Sequence, residues 1–492
     1  MPIPAECFHL PDDDQGTLQS RIKRIVVEGI ISGRFRPGER MPSSRALARH
    51  LGVSRITVTT AYTDLVADDY LTARGRSGYF VSAEVPVTAP RVERRASGSI
   101  VDWERLVGHR SAGQPRIPRP ADWHSYPYPF VYGQPDASLF DHASWRLCAL
   151  QALGQRDFTA LTEDRYERDD PLLVEYLVRH VLPLRGIDAR PENVLVTMGA
   201  QNALWITAQL LLNPRRKAAV ENPCYPGLRD ILAQTRCRTL AVDVDAEGLP
   251  PDALPADVDV VFVTASHHCP TNVTMPLARR RELLSRAARD GFVVVEDDYE
   301  FELLFQRTPL PSLKSLDADG TVIYIGSFSK SLFPGLRLGY LVAPEAFVEE
   351  ARSLRATVLR HPPGLIQRTA AHFLSLGHYH AQIRRLRKAY QRRRRVMLEA
   401  IEENGLTIDG AGAEGGTCFW MRAPEGVDTQ KLAEELLRHG VVIEPGHSFF
   451  SGVEVPSDRY RLAYSSIRSS GISRGIGILG RVLGSSGLVG VG

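Results

Sequence analysis

The segment Ser327-Phe328-Ser329-Lys330-Ser331-Leu332-Phe333-Pro334-Gly335-Leu336-Arg337-Leu338-Gly339 places one lysine among small and hydroxyl-bearing residues. It directly follows an apolar run, 321–325, that reads as a buried strand. A lysine at such a strand end can form a Schiff base with an aldehyde cofactor. Ser327, Ser329 and Arg337 are the residue types that would hold a phosphate on that cofactor.

Further candidates follow the same logic. Gly199-Ala200-Gln201 comes after another apolar run and opens a helix, whose free amides and dipole suit a phosphate. Glu221-Asn222-Pro223-Cys224-Tyr225-Pro226-Gly227 reads as a loop that offers Tyr225 for stacking on a planar ring. Asp297 would pair with a protonated ring nitrogen and keep that ring an electron sink. Tyr299, two residues on, would hydrogen-bond a ring hydroxyl.

Such residues need a frame. Apolar, β-branched runs at 193–197, 258–264, 292–296 and 321–325 read as strands buried on both faces, with helical patterns between several of them. That alternation predicts an α/β domain with a mostly parallel sheet, whose ligands sit at the strands' C-terminal ends. The candidate residues fall there.

At 492 residues the chain is long enough for two or three domains. Its composition, 43% apolar and 24% charged, is that of a soluble globular protein, and no apolar run approaches the ~20 residues needed to cross a bilayer. The acidic first 14 residues lack a charged-then-apolar signal pattern, so a cytoplasmic protein with no membrane partner is expected. Cys7, Cys148, Cys224, Cys237, Cys269 and Cys418 are scattered without metal-ligand spacing, which predicts reduced thiols and no metal site.

Net charge is only +3, but residues 15–82 hold eleven Arg and Lys against five Asp and Glu, a local +6 that leaves about −3 for the remainder. That asymmetry points to a polyanion partner for the N-terminal region alone. There, Leu18, Ile22, Ile25, Val26, Ile30 and Ile31 space an amphipathic helix over 17–32. Ser43 or Ser44 can cap a second helix through Leu51, Gly52 supplies a turn, and Ser54 caps a third from Arg55 to about Asp68. This is helix-turn-helix spacing, with the third helix as the recognition helix. Leu71 to Ala73 and Tyr79 to Ser82 flank Arg74-Gly75-Arg76-Ser77-Gly78 as a β-wing. Ser54, Arg55, Thr57 and Thr59 cluster where base edges and phosphates would be met, and Arg45, Arg74 and Arg76 are placed for phosphates.

Two resemblances carry these readings further. Gly38-Glu39-Arg40-Met41-Pro42-Ser43-Ser44-Arg45-Ala46-Leu47-Ala48, Leu51-Gly52-Val53-Ser54-Arg55 and 75–81 together resemble the winged helix of the GntR family over residues 15–82. The order of Gly199, Tyr225, Asp297, Tyr299, Lys330 and Arg337 resembles the fold type I aminotransferases, which bind pyridoxal 5′-phosphate, over residues 123–485. This implies that Lys330 is the internal-aldimine lysine, Asp297 the pyridinium partner, Tyr299 the partner of the ring hydroxyl and Tyr225 the stacking aromatic. Gly199, Ala200, Gln201, Ser327, Ser329 and Arg337 would form the phosphate cup. Arg461, in Tyr460-Arg461-Leu462-Ala463-Tyr464-Ser465, matches the arginine for a substrate carboxylate.

The fusion resembles the MocR subfamily of GntR regulators. It implies a mainly α winged helix-turn-helix at 15–82, a linker at 83–122 and an α/β aminotransferase-like domain at 123–485. It further implies a head-to-tail homodimer on double-stranded promoter DNA, answering a small amino acid or amine that forms an external aldimine at Lys330. The alternative is an active aminotransferase that carries a DNA-binding module.

The chain departs from the aminotransferase pattern in places. His268-Cys269-Pro270-Thr271-Asn272 stands where His-Asn-Pro-Thr-Gly is typical, which puts Cys269 in place of an asparagine and favours a sensor. Gly227 occupies a position where some subfamily members carry a second effector-binding arginine, and 166–176 lacks a glycine often seen there. The basic run Arg384-Arg385-Leu386-Arg387-Lys388 with 392–395 reads as a solvated or dimer-contacting helix.

Overall fold

The computed structural model describes residues 2–10, 16–84, 101–107, 117, 119–305, 310–410, 416–452 and 454–484. Most of the expected linker, including Arg91, Arg94 and Arg95, and the side chain of Arg76 lie outside the described residues. The chain divides into two compact units, Met1–Arg110 and Ser111–Gly492.

In the smaller unit, helix α1 (Leu18–Ile31) begins where the Thr17 hydroxyl accepts the amide of Ser20. Ser43 caps α2 (Ser44–Leu51), accepting the Ala46 amide at 3.1 Å, and Ser54 caps α3 (Arg55–Ala67), accepting the Thr57 amide at 3.1 Å. Each cap satisfies an amide that has no partner inside the helix. Gly52 closes α2 in the left-handed conformation, φ 65°. Val26, Leu47, Val58, Tyr62 and Leu65 fill the core between the helices. Strands β1 (Leu71–Ala73) and β2 (Tyr79–Val81) pair antiparallel, with Leu71 opposite Val81. Ile3 and Phe8, upstream of the expected segment, join this core as well, and Phe8 stacks on Phe35 at 4.9 Å.

The larger unit opens with β3 (Tyr128–Pro129). Its central sheet contains β4 (Val194–Thr197), β5 (Lys217–Asn222), β6 (Arg238–Asp243), β7 (Val260–Val263), β8 (Val293–Asp297), β9 (Val322–Ser327) and β10 (Gly339–Val342), in the order β4-β10-β9-β8-β7-β5-β6. All neighbouring pairs are parallel except those of β10, which runs antiparallel to both β4 and β9. Four strands lie where the apolar runs predict them. The other three lack such runs: β5 starts and ends on polar residues, β6 is an edge strand with mostly exposed side chains, and β10 starts at the glycine that ends the lysine segment.

Helices cover both faces of this sheet. Ala203, Leu204 and Ile206 of helix Ala200–Leu211 pack with Val220 and Val260, while Leu283 and Ala287 of helix Leu277–Asp290 pack with Val261 and Val294. Burial on both faces accounts for the uniformly apolar strands. The C-terminal part adds β11 (Thr407–Ile408), β12 (Cys418–Arg422), β13 (Val441–Val442), β14 (Glu444–Pro445) and β15 (Arg459–Ala463). Four of these form a sheet in the order β11-β12-β15-β14, and β13 pairs in parallel with β3. Among the described residues no helix is long and apolar enough to cross a membrane.

The basic run lies in helix His378–Glu403, where Arg384, Arg385, Lys388, Arg392 and Arg395 are exposed and Arg393 is buried. Arg387 donates to the Glu302 carbonyl at 2.7 Å and Arg385 to the Leu139 carbonyl at 3.2 Å. Arg393 is buried; it donates to the carbonyls of Tyr464 and Ser465 and pairs with Asp136. These guanidiniums tie the helix to neighbouring loops of the same unit, and only the buried Arg393 departs from the expected solvated face.

Candidate functional site

The parallel strands end along one edge, and β10 starts between two of those ends, with Gly339 opposite both Thr197 and Ser327. The lysine segment is the loop from β9 into β10, so topology alone delivers Lys330, Ser329 and Arg337 to the sheet's C-terminal edge. Asp297 ends β8, and Gly199 and Ala200 start the helix after β4.

Ala200, Gln201, Tyr225, Asp297, Tyr299, Ser327, Ser329, Lys330 and Arg337 line one inner cavity of ≈ 160 Å³. Gly199 adjoins it, packed against Arg337, whose Nη2 donates to the Met198 carbonyl at 3.0 Å. All the residues expected to hold a cofactor therefore meet at one place. An outer cavity of ≈ 590 Å³ shares Tyr132, Gln201, Tyr225, Cys269 and Lys330 with it and adds Gly227, Asp230, Glu444 and Arg461.

The charges in the inner cavity are unusual for an ordinary core. Burial is the largest influence on the Lys330 amine and lowers its proton affinity; Arg461 acts in the same direction, against Glu300, Cys269 and Glu444. A buried amine of this kind spends more time neutral and nucleophilic. Burial and Asp298 push the Asp297 carboxyl up to about 7, with Lys330 opposing. Asp297 Oδ1 is sealed from solvent without a hydrogen-bond partner. An orphaned buried oxygen calls for an explanation, and a cationic ring nitrogen in the cavity would supply one.

Tyr299 lines the cavity, but its hydroxyl already donates to the His267 carbonyl at 3.0 Å. Cys269, buried in the wall, is held by its amide to the Thr264 hydroxyl at 3.2 Å, and burial pushes its thiol up to about 11. Tyr225 explains Gly227: a Cβ at that glycine would stand 2.6 Å from the tyrosine Cζ, so the ring occupies the space a side chain would need.

Arg461 reaches the outer cavity from β15, and here the structure adds residues the motifs did not reveal. Glu444 is its cross-strand neighbour on β14 and accepts from Arg461 Nε at 2.8 Å. Tyr132 lies between the two cations, its ring centroid 4.2 Å from Lys330 Nζ and 4.0 Å from Arg461 Cζ. Next to it Gly133 adopts φ +72°, and a Cβ there would come within 2.2 Å of Lys330 Nζ. The readable signal was Tyr132-Gly133-Gln134-Pro135-Asp136, a glycine and proline punctuated loop directly after an apolar strand. Glu444 had no signal, because its meaning depends on cross-strand pairing with Arg461.

In the smaller unit, Arg45, Arg74, Ser54 and Arg55 are exposed, and Thr57 and Thr59 are half-buried. The Ser54 hydroxyl caps α3 and meets Thr57 Oγ1 at 2.8 Å, and Thr59 donates back to the Arg55 carbonyl at 2.9 Å. Arg74 stacks over the Phe80 ring at 4.7 Å. The Arg55 guanidinium makes no hydrogen bond or ion pair with the described residues, and beside it Ile56 is 78% exposed.

Residues 18–81 match the family model described as bacterial regulatory proteins, gntR family, and residues 171–477 match aminotransferase class I and II. The chain is 59% identical to the HTH-type transcriptional regulator TauR of Rhodobacter capsulatus, over 98% of this chain and all of that protein. It is 30% identical, over 92% of this chain and 90% of the other, to a Rhizobium meliloti protein named as a probable rhizopine catabolism regulatory protein, MocR. The crystal structure of LysN, the α-aminoadipate aminotransferase of Thermus thermophilus, superposes with a TM-score of 0.66 at 29% identity. The match covers 72% of this chain and 91% of that one, and LysN is there complexed with N-(5′-phosphopyridoxyl)-L-leucine.

Proposed function

Because the chain belongs to the MocR subfamily of GntR transcription regulators, which join a helix-turn-helix to an aminotransferase-like domain, we propose that its larger unit binds pyridoxal 5′-phosphate and senses an amino acid or amine. The reading assigns DNA binding to residues 15–82 and sensing to 123–485, in a head-to-tail homodimer. The observation that carries it is the meeting of Lys330 and the orphaned Asp297 Oδ1 in one cavity at the sheet's C-terminal edge.

Bound pyridoxal phosphate supplies a carbonyl carbon to which amines add reversibly and a ring that withdraws electrons. Lys330 would hold that carbonyl through its neutral Nζ, and Asp297 would keep a proton on the ring nitrogen. The amides at Gly199, Ala200 and Gln201, with Ser327, Ser329 and Arg337, would take the phosphate. Tyr225 would cover the ring face, and Tyr299 would face the ring hydroxyl. An incoming amine would displace Lys330, and its acid group would meet Arg461. The regulator answers only if the ligand-bound domain prefers a different arrangement of the paired DNA-binding units.

The test pairs two measurements on the purified dimer: a screen of amines for change in its visible absorbance, and the effect of each active amine on promoter binding. One class of amine is expected to move both. Rapid multiple-turnover release of a keto acid or aldehyde would overturn the sensor reading in favour of an aminotransferase.

Gly133 provides a sharper check on the geometry. Gly133→Ala puts a methyl where Lys330 Nζ stands, at a positive φ that alanine tolerates poorly. The expected result is loss of most of the visible absorbance after loading and desalting, with promoter binding retained. Full absorbance in this variant would show that Nζ acts from another position.

A further inference from the structure

The Arg461 guanidinium is packed against two rings and one carboxylate. Its Cζ lies over two aromatic rings, 4.0 Å from the Tyr132 centroid and 4.7 Å from the Phe449 centroid. Its Nε edge is taken by Glu444 at 2.8 Å, both side chains being 3% exposed. Glu444 Oε2 also accepts the Tyr132 amide at 3.3 Å, which fixes the carboxylate from a second direction. What remains is the edge carrying the two terminal nitrogens. They make no hydrogen bond within the described residues and are not among the sealed polar atoms, and the residue lines the outer cavity beside Lys330.

A guanidinium packed against two rings and held at Nε presents the fork of its two terminal nitrogens, which matches a two-oxygen anion. Arg461 nevertheless does not present a free positive charge, because its partner carboxylate is built into the neighbouring strand. We propose that Glu444 determines the ligand specificity of this site: it aims the fork of Arg461 into the cavity while its own charge opposes the ligand's oxyanion. The ligand class is an amine bearing an oxyanion group, bound less tightly than an unpaired arginine would bind it. This inference rests on the sensor reading above.

Glutamine at 444 keeps the acceptor for Arg461 Nε and the Tyr132 amide but removes the charge. At the effective dielectric constant of about 20 suited to buried sites, like charges roughly 6 Å apart weaken binding by at least about tenfold. The probes are β-alanine and n-propylamine, which share the amine and chain length but differ in the carboxylate. Titrations follow the visible absorbance of the loaded protein.

The wild type is expected to respond to β-alanine at lower concentration than to n-propylamine. Glu444→Gln should tighten β-alanine by about tenfold or more and leave n-propylamine within about twofold. Glu444→Asp, which keeps the charge, should preserve the wild-type ratio. Equal shifts for both probes, no gain for β-alanine, or an Asp variant that behaves like Gln would overturn the inference. If the wild type shows no visible absorbance, the sensor reading fails instead. The thermal midpoint of the cofactor-free protein in propionate then decides the role of Glu444: a larger rise in Glu444→Gln than in the wild type supports it, and an equal or smaller one overturns it.

Discussion

Lys330→Ala is expected to abolish the visible absorbance of the loaded protein completely and, with it, every amine-dependent change in DNA binding. The effect should be total because neither cavity is lined by a second lysine, so no neighbouring amine can substitute. It should also be separable from folding. Lys330 Nζ makes no hydrogen bond with the described residues and lies over the face of Tyr132, so truncation removes an amine without breaking a hydrogen-bond network. The thermal midpoint of the cofactor-free variant is therefore expected to stay within a few degrees of the wild type, in line with the small effect of changes that break no cap, core contact or ion pair. Absorbance retained after loading and desalting would refute the assignment of Lys330. A lost spectrum together with an unchanged response of promoter binding to amines would refute the link between the cofactor and regulation.

The second large effect is expected at the other unit. Arg55→Ala should weaken promoter binding by about tenfold to a hundredfold per half-site, the loss of one arginine contact to a base or phosphate being worth about 1–3 kcal/mol. The proposed dimer would lose the contact twice. The structure supports this residue over its neighbours, because the hydroxyls of Ser54, Thr57 and Thr59 are engaged within α3 whereas the Arg55 guanidinium is exposed and unengaged. Band shifts over a salt series distinguish the two possible contacts. Loss of a phosphate contact lowers the salt slope by about 1 per subunit and weakens all sequences alike, whereas loss of a base contact relaxes sequence preference. The visible absorbance of the larger unit should not change. Undiminished promoter binding by the variant would remove α3 as the reading element.

Much of this arrangement was legible in the sequence, for physical reasons that differ by region. The helix caps of the smaller unit were readable because Ser43 and Ser54 act within three residues of themselves. The inner cavity was readable because parallel strands deliver their C-terminal ends to one edge, so order along the chain becomes proximity in space. Strands β5, β6 and β10 were missed, β5 and β6 being polar at their ends and β6 mostly exposed, and β10 running antiparallel to its neighbours straight out of the lysine segment. Glu444 and Tyr132 were missed for a deeper reason: their roles come from side chains 17 and 329 residues from Arg461, brought together only by β14 and the loop after β3. Within the arginine run the burial of Arg393 was not legible, because a count of charges says nothing of the carbonyl acceptors that Arg387 and Arg393 find inside the unit.

The partition into inner and outer cavities also bears on how such regulators diversify. Asp297, Ser327, Ser329 and Arg337 line only the inner cavity, whereas Gly227, Asp230, Glu444 and Arg461 line only the outer one. Under the proposed reading, exchange of residues in the outer set would change which ligand the site meets and leave the residues proposed for the cofactor untouched, so new ligands can be accommodated without rebuilding the inner site.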